Sequence, residues 1–169
     1  MLGKLLRKLV YMALLTAISL GIWVIENQIP VPIPVPGVKL GLASIITLET
    51  MLLMGRKEAL TVLLMRVVLS CLFAGSFSVI LYSLTGGLLS WALMALTIRL
   101  FPQQLVWVVS VFGALGHNAG QLAAAILITR TPSLAAYAPV LLIAAVLTGV
   151  FTGLTAMYLY RALKDRIRF

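Results

Sequence analysis

The chain reads as an all-α, polytopic membrane protein of six transmembrane helices with both termini on the inner side. Three observations predict this: its apolar composition, the length of its apolar runs, and the side on which its Lys and Arg residues fall. Of 169 residues, 62% are hydrophobic and 10% are charged, with a mean hydropathy of +1.13. A soluble domain carries roughly 45–50% apolar and about 25% charged residues. One soluble core of this size could not bury the excess. Residues 1–169 are therefore expected to form a single integral membrane domain.

About 20 apolar residues cross a bilayer as a helix, and the runs place spans at about 9–26, 39–54, 57–74, 78–99, 104–129 and 136–161. The first follows Lys4, Arg7 and Lys8 and ends at Glu26-Asn27. It lacks a small-residue cleavage site, so no cleavable signal peptide is expected. Pro30, Pro32, Pro34 and Pro36 come next, followed by Gly37 and Lys39. Proline fixes φ and removes a donor, so this ladder cannot be helical and should run extended.

Counted from Leu40, the second span rises only about 22 Å, against roughly 30 Å of hydrocarbon. The ladder should then dip into the outer leaflet. Irregular backbone survives there only if protein buries it or it lines a polar cavity. Spans three and four form one nearly continuous apolar run. Gly75-Ser76-Phe77-Ser78 supplies a tight turn between them, with Gly86-Gly87 as a rival break.

Orientation follows from the cations. With the N-terminus inside, Lys4, Arg7, Lys8, Arg56, Lys57, Arg99, Arg161, Lys164, Arg166 and Arg168 fall on the inner side, and only Lys39 and Arg130 on the outer. The net charge of +9 is thus an orientation signal, and no nucleic-acid partner is expected. The partner on all sides is a lipid bilayer, and the expected location is the cell membrane. Tyr11, Trp107, Tyr158 and Tyr160 suit the inner interface.

The residues speak against catalysis. The four acidic residues, Glu26, Glu49, Glu58 and Asp165, are scattered, and no paired carboxylates are placed to hold Mg²⁺ on a diphosphate. No P-loop, HExxH or Cys/His metal spacing is present. Cys71 is the one cysteine, so no disulfide framework is available. Neither a metal nor a cofactor is expected, and ATP-driven work would have to come from a partner.

Polar groups deep in a span should face the bundle interior and find partners. Glu49 lies about 8 Å above the inner end of its span and Arg66 about 12–15 Å above the inner end of the next. Long side chains close that gap, so a Glu49–Arg66 ion pair is expected, either fixing helix register or serving substrate. His117, Asn118 and Gln121 lie about 20–26 Å along the fifth helix, beside Gly113, Gly116 and Gly120. They suit interhelical hydrogen bonding or ligand contact. Their depth matches that of Glu26, Asn27, Lys39, Ser78 and Tyr82, which suggests an outward-facing cavity roofed by the ladder. Small-residue stripes at Ala13-x-x-x-Ala17 and Ala145-x-x-x-Gly149-x-x-x-Gly153 allow close backbone approach.

Several segments together carry a resemblance: Glu26-Asn27 with Pro-Val-Pro-Gly37-Val-Lys39-Leu-Gly-Leu-Ala43, Leu-Met-Arg66, Gly86-Gly87-Leu-Leu-Ser90 and Gly116-His117-Asn118-Ala-Gly-Gln121-Leu. Over nearly its whole length the chain resembles the heptaprenyl diphosphate synthase component I family, also called the Gx transporter family. That family in turn resembles the S-components of energy-coupling-factor (ECF) transporters. The second resemblance rests on size, topology and an A-x-x-x-A motif that Ala13 and Ala17 match.

The resemblance implies an S-component-like bundle that binds a small substrate near the outer face. It further implies docking through Ala13 and Ala17 on a transmembrane coupling subunit driven by an ATPase pair. Glu26, Asn27, Lys39, Ser78, Tyr82, His117, Asn118 and Gln121 would then line the substrate site, with Lys39 and Arg66 hinting at an anionic group. The synthase name implies another class: a non-catalytic membrane accessory to prenyl diphosphate or quinone biosynthesis.

Overall fold

The computed structural model describes residues 2–29, 39–75 and 77–164, and only the backbone of residues 77–79. The proline ladder at 30–38 and the Ser78 side chain lie outside the described residues. Six α-helices account for most of the rest: α1 (Leu2–Glu26), α2 (Ser44–Leu53), α3 (Arg56–Ala74), α4 (Phe77–Thr97), α5 (Val106–Thr129) and α6 (Ala138–Leu163). Short 3₁₀ turns, Gln103–Leu105 and Pro132–Tyr137, lead into α5 and α6.

The helix boundaries follow local chemistry. Gly75 closes α3 in the left-handed region (φ 61°), with its N–H on the Cys71 carbonyl. This is the break expected between the third and fourth apolar runs; Gly86 and Gly87 lie inside a continuous α4. Pro102 is extended and Pro132 begins the second 3₁₀ turn, both positions where a missing backbone donor costs little. The second helix departs most from expectation. It starts at Ser44, not near Lys39: residues 39–41 are irregular, and residues 41–44 form a turn in which Ser44 N–H bonds the Gly41 carbonyl at 3.0 Å.

Four helical stretches are long and apolar enough to cross a membrane: Leu2–Glu26, Ile80–Thr97, Gln103–Thr129 and Pro132–Leu163. The other two helices differ in kind. Ten residues give α2 a length of only about 15 Å, and α3 carries Arg56, Lys57, Glu58 and Arg66. The distribution of polarity is that of a protein whose solvent is lipid. Glu49, Arg66, Thr50, Ser70, Ser90 and Thr152 are buried, while Leu72, Phe73, Leu96, Leu127, Ile143 and Leu147 are exposed. In water such an apolar exterior would drive association.

At the centre stands α2, which touches all five other helices and is buried continuously from Ile45 to Met51. Its Leu48 and Met51 pack with Val62, Met94 and Val109 in the main apolar cluster. Around it, α5 lies between α4 and α6 at backbone-contact distance. A Cβ on Gly120 would stand 2.6 Å from the Thr85 carbonyl oxygen, and one on Gly153 would stand 2.5 Å from Trp107 Cα. The Ala145/Gly149/Gly153 stripe of α6 is therefore spent on α5, where Ser110 and Thr152 hydroxyls also meet at 2.8 Å. By contrast, Ala13 and Ala17 on α1 remain exposed.

Candidate functional site

The C-terminal end of α1 and the turn that opens α2 meet α3, α4 and α5 around a cavity of about 20 Å³. Trp23 and Glu26 reach it from successive turns of α1. Lys39, Gly41, Ala43, Ser44 and Thr47 come from the turn and first residues of α2. The third helix contributes Leu63 and Arg66, the fourth Ser83, Gly87 and Ser90, and the fifth His117 and Gln121. Each helical set obeys the i, i+3, i+4, i+7 spacing of one helix face.

Three long-range hydrogen bonds to two side chains hold the turn in place. The Glu26 carboxylate accepts the Gly41 backbone N–H in a very short hydrogen bond and the Leu42 N–H at 3.3 Å. Gln121 Oε1 accepts the Lys39 N–H at 3.0 Å. A carboxylate at a helix C-terminus opposes the helix dipole; here two backbone donors offset that cost. Gly41 sits at φ 79°, and a Cβ there would lie 2.7 Å from His117 Cδ2. On its other side the imidazole is confined by Gly86, where a Cβ would lie 3.1 Å from His117 Nδ1.

The cavity is rich in positive charge. The Lys39 ammonium lies 4.5 Å from the centre of the Trp23 ring in a cation–π contact. Arg66 is 4% exposed, and its guanidinium Nε–H has no hydrogen-bond partner. Glu26 is close enough to act electrostatically on both cations. Two further buried groups on the cavity wall also lack partners: the Trp23 indole N–H and the Ser90 hydroxyl.

Of the residues expected at a ligand site, Glu26, Lys39, His117 and Gln121 are brought together here. Three described ones are not. Asn27 is exposed in the turn after α1. Tyr82 packs with Ala124, Ala125 and Leu141. Asn118 turns to α6, donating from Nδ2 to the Leu141 carbonyl at 2.9 Å; one residue beyond His117, it faces about 100° away around the helix.

The expected Glu49–Arg66 ion pair does not form. Both Glu49 carboxylate oxygens are buried without a hydrogen-bond partner. Among the described residues the ion pair within 4.0 Å is Lys8–Glu58, at 2.5 Å between α1 and α3. Helical phase explains the miss: depth leaves a gap that long side chains could close, but Arg66 faces the cavity with Leu63, and Glu49 does not line it.

Trp23, Ser44, Thr47, Ser83 and Ser90 escaped sequence reasoning. A signal existed for three of them. Trp23 is one turn before Glu26, and Ser83-x-x-x-Gly87-x-x-Ser90 is a small polar stripe on one face of α4.

Comparison with curated proteins finds no match, and comparison with solved structures finds none. A family model described as heptaprenyl diphosphate synthase component I matches residues 15–159. That match takes in every helix at least in part, so the chain belongs to the heptaprenyl diphosphate synthase component I family.

Proposed function

We propose that this chain is a membrane substrate-binding subunit for uptake of a small nutrient or cofactor precursor, energised by partner ATPases. The observation that carries this reading is the cavity between the C-terminal end of α1 and the first residues of α2. Buried polar and charged side chains from five helices converge there, in a protein whose surface is apolar. Polar groups inside a membrane are costly and face sites or pathways. Glu26, Lys39, His117 and Gln121 form the site with Arg66, Trp23 and Ser90.

Six membrane spans with both termini cytoplasmic agree with the cation distribution. In that arrangement α2 is a short span, and the cavity opens to the outer face of the cell membrane. The exposed Ala13 and Ala17 flank an apolar groove between α1 and α3, with Met12, Val62 and Met65. A transmembrane coupling subunit docks there through close helix approach and links the bundle to an ATPase pair.

Native mass spectrometry of gently purified protein tests the reading. A retained small molecule, lost on Lys39→Ala or His117→Ala substitution, is the expected result. Absence of any such molecule, together with no ATP-dependent uptake in the presence of partner ATPases, would refute it.

The family's description favours a second reading, a non-catalytic membrane accessory of prenyl diphosphate or quinone biosynthesis. That reading expects copurification with a soluble prenyl synthase and altered quinone content on deletion.

A further inference from the structure

Every unpartnered side-chain group found buried on the cavity wall is a donor. Trp23 Nε1–H and Arg66 Nε–H can only donate, and the Ser90 hydroxyl can donate. Their residues are 5%, 4% and 1% exposed, and none of the three atoms has a protein partner. Each such orphan is destabilising when nothing accepts from it. Two acceptor atoms on the same wall already take backbone donors: Glu26 Oε1 binds Gly41 and Leu42 N–H, and Gln121 Oε1 binds Lys39 N–H. A water would bring two protons that need acceptors of their own. An anion accepts from all three donors and brings none.

We infer that the cavity binds an organic monocarboxylate, with its carboxylate oxygens accepting from Trp23 Nε1, Arg66 Nε and Ser90 Oγ. The inference deepens the binding-subunit reading and rests on it for treating the cavity as a ligand site. Charge selects the class. Lys39 and Arg66 supply two cations and Glu26 one carboxylate, an excess of one positive charge that a monoanion neutralises. A dianionic phosphate or a diphosphate would leave buried negative charge, which is costly.

Size agrees. A water needs roughly 10–15 Å³ of such space, so about 20 Å³ holds one or two atoms of oxygen size. That suits the paired oxygens of a carboxylate better than the four of a phosphate. The Lys39 ammonium is held at the cavity by its contact with the Trp23 ring.

The test is titration of ¹⁵N-labelled protein in nanodiscs of neutral lipid, following the three Trp indole N–H resonances. Trp23→Phe identifies one of them. Acetate, benzoate and lactate are added in turn, against inorganic phosphate, diphosphate and choline at equal ionic strength. The expected result is a saturable downfield shift of the Trp23 indole proton with at least one monocarboxylate. Phosphate, diphosphate and choline should leave it in place. Ser90→Ala should weaken the response roughly threefold to tenfold and Arg66→Gln by more than about tenfold, with Arg66→Lys recovering part, as a charge-assisted contact requires.

A stronger response to diphosphate than to any carboxylate would overturn the inference. So would unchanged carboxylate binding in a folded Arg66→Gln protein. If native mass spectrometry finds a neutral or cationic molecule that moves the Trp23 resonance while carboxylates do not, the binding-subunit reading stands and the monocarboxylate falls. If no compound moves it and no molecule is retained, both fall.

Discussion

The His117 imidazole occupies the space that a side chain on Gly41 would need. A Cβ at Gly41 would stand 2.7 Å from His117 Cδ2 and 3.2 Å from Nε2. Turn and helix are therefore fitted to each other: the absent side chain on one is the condition for the ring on the other.

Gly41→Ala should accordingly be costly twice over. The left-handed backbone (φ 79°) alone disfavours alanine, and strain of this kind is worth about 1–3 kcal/mol. Gly75→Ala is the control, because its φ is 61° but nothing lies within 4 Å of the added Cβ. Thermal unfolding in nanodiscs should show the larger loss at Gly41. His117→Ala should relieve part of that loss in the double variant and none of it at Gly75.

Release of the turn at its other anchors should be visible by hydrogen exchange. Glu26→Gln weakens the acceptor for two backbone N–H groups and leaves Arg66 and Lys39 without a neutralising carboxylate. Its expected cost is about 1.5–3 kcal/mol, the range for hydrogen bonds to charged groups. Gln121→Leu frees only the Lys39 N–H and should cost about 1 kcal/mol. Exchange at Gly41 and Leu42 should quicken in the first variant, and at Lys39 in the second. Unchanged exchange in both would show that these bonds do not hold the turn.

Glu49→Gln should leave stability unchanged or raise it. Both carboxylate oxygens are buried and unpartnered, so removing the possibility of charge removes a penalty. Breaking a buried ion pair would instead cost about 3–5 kcal/mol. A loss of that size on unfolding of Glu49→Gln would restore the Glu49–Arg66 pair.

Helix contact at α4–α5 should tolerate no added carbon. Gly120→Ala would push a Cβ against the Thr85 carbonyl and Gly86 Cα, at 2.6 and 2.8 Å. Backbone cannot step aside as a side-chain tip can, so a loss of about 1–3 kcal/mol is expected. Gly21→Ala on α1 meets nothing within 4 Å and should be neutral or stabilising by up to about 1 kcal/mol. Denaturation of the two variants side by side measures the difference.

Substitution of both Ala13 and Ala17 by Leu should separate binding from transport. The two residues are exposed, so stability should change by no more than about 0.5 kcal/mol and ligand retention should persist. ATP-dependent uptake in a reconstituted system should fall to background. Full uptake by this variant would remove the α1–α3 groove as the coupling surface.

Much of the fold was legible in the residues taken in order. Apolar runs separated by charged or glycine-containing breaks mark six helices because a chain in lipid must satisfy its backbone within each helix, and Gly75 marked the α3 end correctly. The family was legible too, since motif segments such as Gly116-His117-Asn118 are local. Half of the expected site was equally readable: Glu26, Lys39, His117 and Gln121 do converge.

What sequence could not supply was helical phase between elements far apart in the chain. Depth along a helix follows from counting residues at 1.5 Å each, and by depth Glu49 and Arg66 were within reach of each other through their long side chains. Which way each side chain turns depends on how α2 seats among its five neighbours, a matter of packing summed over the whole bundle. For the same reason Asn118 belongs to the α5–α6 contact although His117 beside it faces the cavity. By itself the sequence determined a lipid-facing helical protein with polar groups at particular depths. Only the tertiary structure decided that Trp23, Arg66 and Ser90 share one cavity, because unpaired donors become neighbours through the packing of separate helices.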